Sequence, residues 1–312
     1  MKWGNGNYKA VVGMLFLAIG SAAQPALAAG YASGSVTVPD PAGGWLSDAG
    51  DSSGVGNETV TFNIGLTGIY ASSDGGIQTG SASAHSWAGP GAVGASIDGT
   101  ATVSLNPSNC GGPVGCVWAS GVRADASAVW QERVYTYSPE RVTVDVSLPV
   151  TGWSSYSSEN VPNTQDGTSR FSLRVDGPGL GYVMPDVSGG QGLVSAVGSF
   201  DIPAGNSYFD LTMIAYVAGG AGPTIGCVLY SDCTVFASQS LTLDYSHTFR
   251  WGGVISALNG SGLSIYDEIS LVGESGLDYK TYVNSVPEPE TYALLLAGLG
   301  VLGWVGRRRK AS

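Results

Sequence analysis

Residues 118–130, WASGVRADASAVW, set the reading of the whole chain. Their even positions are Trp118, Ser120, Val122, Ala124, Ala126, Ala128 and Trp130, while the odd ones include Arg123, Asp125 and Ser127. A period of two sends successive side chains to opposite faces of an extended strand, so this run has one apolar face and one wet face. The same alternation recurs in Phe62-Ile64-Leu66, Val142-Val144-Val146-Leu148, Phe171-Leu173-Val175 and Leu241-Leu243-Tyr245-His247-Phe249-Trp251. No convincing helical period appears before the C-terminal end, and 48 glycines with many Ser and Asp residues mark the turns. The expected fold is all-β: an antiparallel β-sandwich, jelly-roll-like, in which each sheet buries one face.

The two ends of the chain follow other rules. Lys2 and Lys9 form a charged start, Ala10 to Gly20 an apolar stretch, and Ala26-Leu27-Ala28 a small-x-small cleavage site. Residues 1–28 are therefore expected to be a secretory signal peptide, cut by signal peptidase after Ala28. At the far end, Val286-Pro287-Glu288-Pro289-Glu290-Thr291 leads into the apolar run Tyr292 to Gly306, closed by Arg307, Arg308, Arg309 and Lys310. As a helix this run would be roughly 22 Å long against a hydrocarbon core of about 30 Å, and snorkelling cations can recover part of the difference. The cations set the topology, holding their end in the cytoplasm and leaving everything before Pro287 outside. The expected organisation is a secreted β-sandwich domain at 29–276, a tether at 277–286, and a terminal signal at 287–312 with one transmembrane helix at 292–306 and a basic tail.

That tail resembles the PEP-CTERM sorting signal of Gram-negative bacteria, with Pro287, Glu288, Pro289 and Thr291 in the motif positions and the Leu294-Leu295-Leu296 run behind them. The three parts stand in the family's order, although together they cover under a tenth of the chain. The resemblance implies export through the inner membrane, anchoring, recognition by the membrane enzyme exosortase, and association with exopolysaccharide and biofilm at the cell surface or in the extracellular matrix. It implies no single biochemical activity. The prolines fix φ and favour extended geometry in the residue before each of them, so the motif should stand as a stiff element just outside the bilayer.

Between the two signals the balance is seven basic against 22 acidic residues, a formal charge of −15. Such a surface repels phosphate backbones, which excludes nucleic acid as an expected partner. The cysteines agree with an exported compartment. Cys110 and Cys116, and Cys227 and Cys233, are two pairs with identical five-residue spacers, expected to form disulfides. Closing each seven-residue ring locally would contribute about 2.4 kcal/mol, and pairing between the two loops stays open.

Catalytic signatures are sparse. The only histidines are His85, near a Gly-Pro turn, and His247, on the apolar parity of its strand, and no nucleophile elbow, metalloprotease, P-loop or dinucleotide motif is present. Asp125 with Glu132, and Asp267 with Glu268, are expected on solvated strand faces or turns. Asp48, Asp51 and Asp74 are expected in turns that match no calcium loop. No metal or cofactor is expected. Trp153 and Tyr156, in the polar span Gly152 to Gly167 read as a surface loop, are the candidate glycan contacts, whereas Trp118, Trp130 and Trp251 have core parity. The preferred reading is a non-catalytic surface or matrix protein. The alternative is a secreted carbohydrate-active enzyme, such as a glycoside hydrolase, or a carbohydrate-binding protein on the same scaffold.

Overall fold

The structure, a computed structural model, describes residues 28–281 apart from 43, 57, 72–75, 106–115, 161–165, 178–179, 184–186, 189–191, 229–231 and 234–235. The proposed signal peptide up to Leu27, Cys110, and the whole of 287–312 lie outside the described residues, as do the side chains of Trp118, Cys116, Cys227, Cys233 and His247.

The strands in chain order are β1 (Ala29–Pro39), β2 (Trp45–Val55), β3 (Val60–Ala71), β4 (Ile77–Gly89), β5 (Ala92–Ser104), β6 (Cys116–Ala119), β7 (Val122–Ser138), β8 (Val142–Glu159) and β9 (Asp166–Gly177). They continue as β10 (Leu180–Val183), β11 (Val187–Ser188), β12 (Gly192–Ile202), β13 (Gly205–Ala221), β14 (Thr224–Val228), β15 (Asp232–Cys233), β16 (Phe236–Arg250), β17 (Val254–Asn259) and β18 (Ser270–Gly273). A first sheet has the order β10-β9-β13-β7-β1-β2, with β11 also on β9 and β18 also on β7. A second has the order β12-β8-β16-β5-β4-β3, with β17 also on β8, and a small third sheet is β15-β14-β6. Neighbours pair antiparallel throughout, and the two large sheets pack face to face through β1 and β7 against β4 and β5, and β13 against β5 and β16. The chain is an antiparallel β-sandwich. From β7 to β9 and again through β12, β13 and β16, successive long strands alternate between the two sheets.

The core follows the predicted parity. Val122, Ala124, Ala126, Ala128 and Trp130 are buried along β7, and Val142, Val144, Val146, Leu148 and Val150 along β8. Small side chains meet where β7 crosses β4, whose inward residues are Ala82, Ala84 and Ala88. Aromatic rings fill the other half: Phe171 packs on Tyr245 and Phe249, and Phe200 links Phe209 to Trp251. Burying side chains of this size contributes roughly 1.5–3 kcal/mol each before chain entropy is charged against it. Between β4 and β5, Pro90 and Gly91 make a two-residue turn. Gly91 has φ 65°, the left-handed value that a Pro-Gly turn demands of its second residue.

Four expectations change. The run 118–130 is two strands, because the chain breaks at Ser120-Gly121 and β6 leaves for the third sheet while β7 joins the first. The span from Gly152 is not a loop: β8 continues to Glu159 by pairing with β16, and only residues 160–165 lie between it and β9. Its polar composition reflects exposure at the end of a long strand. Asp48 and Asp51 lie on β2 rather than in a turn, three residues apart and so on opposite faces. Finally, Leu277 to Lys280 is no tether. The Tyr279 N–H donates to Leu271 O, Val254 N–H donates to Lys280 O, and Tyr279 is fully buried, so the domain continues to the last described residues.

Candidate functional site

The packed C-terminal segment is built on one residue of β7. Glu132 follows Trp130 at the inward parity and is only 1% exposed, which corrects its expected place on a solvated face. Its Oε1 accepts from Trp130 Nε1–H at 2.9 Å and from the Tyr279 hydroxyl, and its Oε2 accepts from the Ser275 backbone N–H at 3.1 Å. A buried carboxylate is tolerated only when its oxygens are satisfied in this way. Gly273 makes the approach possible, because a Cβ there would collide with Glu132 Oε2. Burial first, and the Glu132 charge second, hold the Tyr279 phenol well above its ordinary value. Trp251 Nε1–H donates to Tyr279 O at 2.7 Å and packs edge-on against its ring at 5.2 Å. Lys280 then lies over the Tyr266 ring, 4.7 Å from its centre. The folded domain thus ends in a clamped segment just before the terminal signal.

Asp125 and Glu132, seven residues apart, have opposite parity and lie on opposite faces of β7. They do not face each other across a cleft. Asp125 is half-buried on the outer face, where Ser35 Oγ–H donates to it; desolvation raises its pKa despite that bond. Asp267 and Glu268 are exposed in a short 3-10 turn at Tyr266–Glu268. Among the described residues no group of three or more His, Cys, Asp or Glu side chains is placed to hold a metal ion.

Trp153 and Tyr156 are both partly exposed, at 47% and 37%, but three positions apart on β8 they belong to opposite faces. They cannot form one platform. Trp153 sits across from Asp244 on the outer side, while the Tyr156 hydroxyl reaches inward over Gly167.

The outer face of the second sheet is a grid of short hydroxyl side chains. Thr67, Ser81, Thr100, Ser240 and Ser157 form one row across five strands, and Ser83, Asp98, Thr242 and Ser155 lie in the next. Ser157 and Ser240 hydroxyls are 2.8 Å apart. One shallow depression of about 330 Å³ opens there, lined by Asn63, Ser83, His85, Ser96 and Asp98, with His85 Nδ1 2.5 Å from Asn63 Oδ1.

The outer face of the first sheet is different in kind. Tyr135 of β7 is paired with Tyr208 of β13 on one side and Val272 of β18 on the other, and Tyr137 lies one step along between Asn206 and Ser270. These three rings are 50%, 37% and 46% exposed in the order Tyr135, Tyr208, Tyr137. Arg133 binds Asp210 through two nitrogens at 2.8 and 3.2 Å and covers the Tyr208 ring at 4.3 Å. The Tyr135 hydroxyl donates to Glu274 Oε1 at 3.0 Å. The alternation of 118–130 does not end at Trp130. Continued through Arg133-Val-Tyr-Thr-Tyr137, the same parity would have put both rings on the wet face and Glu132 on the dry one.

Backbone register sets Cys227 opposite Cys233 and, on its other side, opposite Cys116. The bonds these cysteines make lie outside the described residues.

Fold and termini together define a β-sandwich whose rigid end at Lys280 is followed closely by a separate C-terminal signal. Residues 285–310 match the PEP-CTERM protein-sorting motif, so the chain carries that sorting motif at this end. The motif implies export, membrane-anchored processing by exosortase in a Gram-negative bacterium, and an extracellular product. No curated protein matches the chain. Among the described residues no helix is long and apolar enough to cross a membrane, and the run Tyr292 to Gly306 falls beyond them.

Proposed function

We propose that the protein is a non-catalytic component of the cell surface or extracellular matrix that associates with exopolysaccharide in a biofilm. Signal peptidase removes residues 1–28, the helix at 292–306 holds the protein in the inner membrane with Arg307 to Lys310 inside, and exosortase processes the chain at Pro287-Glu288-Pro289. The observation that carries this reading is the sorting motif at 285–310, a few residues beyond the clamped Tyr279. The short link keeps the folded domain close to the bilayer until processing frees it. Disulfides at Cys110, Cys116, Cys227 and Cys233 suit the oxidising compartment such a route ends in. The enzymatic alternative gains no support from Asp125 and Glu132, which face opposite ways. Glu288→Ala should leave export intact while the C-terminal segment is retained in the membrane fraction. Processing of this variant at the wild-type rate would contradict the assignment.

A further inference from the structure

We infer that the outward strip of β7, with β13 and β18 beside it, is a stacking surface for a neutral polysaccharide chain, an inference that rests on the matrix reading above and names its ligand and site. Tyr208, Tyr135 and Val272 form one row across three strands, and Tyr137 extends it along β7. Paired positions lie about 5 Å apart across strands and alternate positions roughly 7 Å apart along one, so Tyr135 and Tyr137 stand a ring-sized step apart, with Tyr208, its ring under Arg133, beside them. Contiguous exposed rings on a protein's surface usually mark a binding site, and among the described residues the opposite face of the sandwich carries rows of short hydroxyls instead.

Two of the rings are held in place before any ligand arrives. Tyr135 is tied to Glu274, and Tyr208 lies under an Arg133 that Asp210 fixes. Pre-set rings lower the ordering cost of binding. Carbohydrate rings present C–H faces that suit tyrosine rings and hydroxyl edges that suit carboxylate, amide and hydroxyl groups. Glu274, Asn206 and Ser270 supply those groups beside the rings. Glu274 Oε2 is itself buried and has no hydrogen-bond partner among the described residues, so it is Oε1, the acceptor from Tyr135, that lies beside the strip. Charge selects the class of chain. Arg133 is consumed by Asp210, Glu274 remains, and the exported region is strongly acidic, so polyanions are repelled.

The test is affinity electrophoresis of the exported protein, recovered from culture, in gels carrying hydroxyethyl cellulose, glycogen or galactomannan, and separately alginate. At least one neutral polymer should retard the protein and alginate should not. Combining Tyr135→Ala and Tyr137→Ala should weaken retardation about tenfold, as expected for the loss of two ring contacts. Tyr137→Phe, which keeps the ring, should retain it, and Trp153→Ala on the other sheet should leave it unchanged. Equal retardation of wild type and the double variant overturns the strip while leaving the matrix reading standing. Retardation by alginate alone overturns the choice of ligand. No retardation by any polymer removes both the strip and the exopolysaccharide association, while delivery is still judged by the Glu288→Ala variant. A dimer in sedimentation that the double variant abolishes would show that the rings cover a second copy of the chain, and would also overturn the proposal.

Discussion

The two faces of β7 obey one alternation and meet opposite fates. On the inner face, Trp130 and Glu132 close a polar cluster with Ser275 and Tyr279 that water does not reach. On the outer face, Arg133, Tyr135 and Tyr137 stand among charged and polar groups with their rings partly uncovered. Parity decides which side a residue occupies. What it does there depends on its neighbours: a carboxylate inside is structural because three donors satisfy it, and an aromatic ring outside is available where its neighbours leave it partly uncovered.

The largest difference between the faces is expected at Glu132. Glu132→Ala would orphan the Trp130, Ser275 and Tyr279 donors and open a cavity, costing about 3–5 kcal/mol, a large share of a typical domain's stability. Urea unfolding should show a lower midpoint with an unchanged slope. A loss below about 1 kcal/mol would mean the inner cluster does not hold the C-terminal segment.

Tyr279→Phe is milder, about 1–2 kcal/mol for the lost hydrogen bond to a charged group. It also carries a pH signature. The phenol's pKa is raised in the folded protein above its ordinary 10.0, so its contribution is complete below about pH 10 and is lost above it as the unfolded chain ionises first. Stability curves of wild type and Tyr279→Phe should therefore converge as pH rises past 10. Parallel curves would show that the phenol titrates alike in both states.

Outer-face changes should barely register in stability. The Arg133–Asp210 pair is partly solvated, and a double-mutant cycle should give a coupling of about 0.5 kcal/mol. A coupling as large as the Glu132 effect would erase the distinction between the faces.

Much of this architecture could be read in advance from residues with strong alternation. Val142 to Leu148 and Phe171 to Val175 occupy the faces their parity predicts, and Trp130 and Trp251 are buried as expected. Alternation failed where strands carry little apolar contrast. β2, with the sequence WLSDAGDSSGV, is an edge strand held by pairing with β1, and the outer end of β8 forms from a polar segment by pairing with β16. Backbone hydrogen bonds suffice there, and they leave no mark in side-chain hydrophobicity. The clamp at Tyr279 was hidden for a different reason. Its partner Glu132 is 147 residues away, and no local pattern reports such a contact. The terminal signal is the reverse case, legible because its three parts are contiguous in sequence.

Intact-mass measurement of the native extracellular protein decides whether that signal delivers it. The mature chain should start at Ala29 and end near Pro287 to Thr291, without the apolar run or the basic tail. A mass corresponding to Met1 through Ser312, in protein that never leaves the cytoplasm, would contradict it.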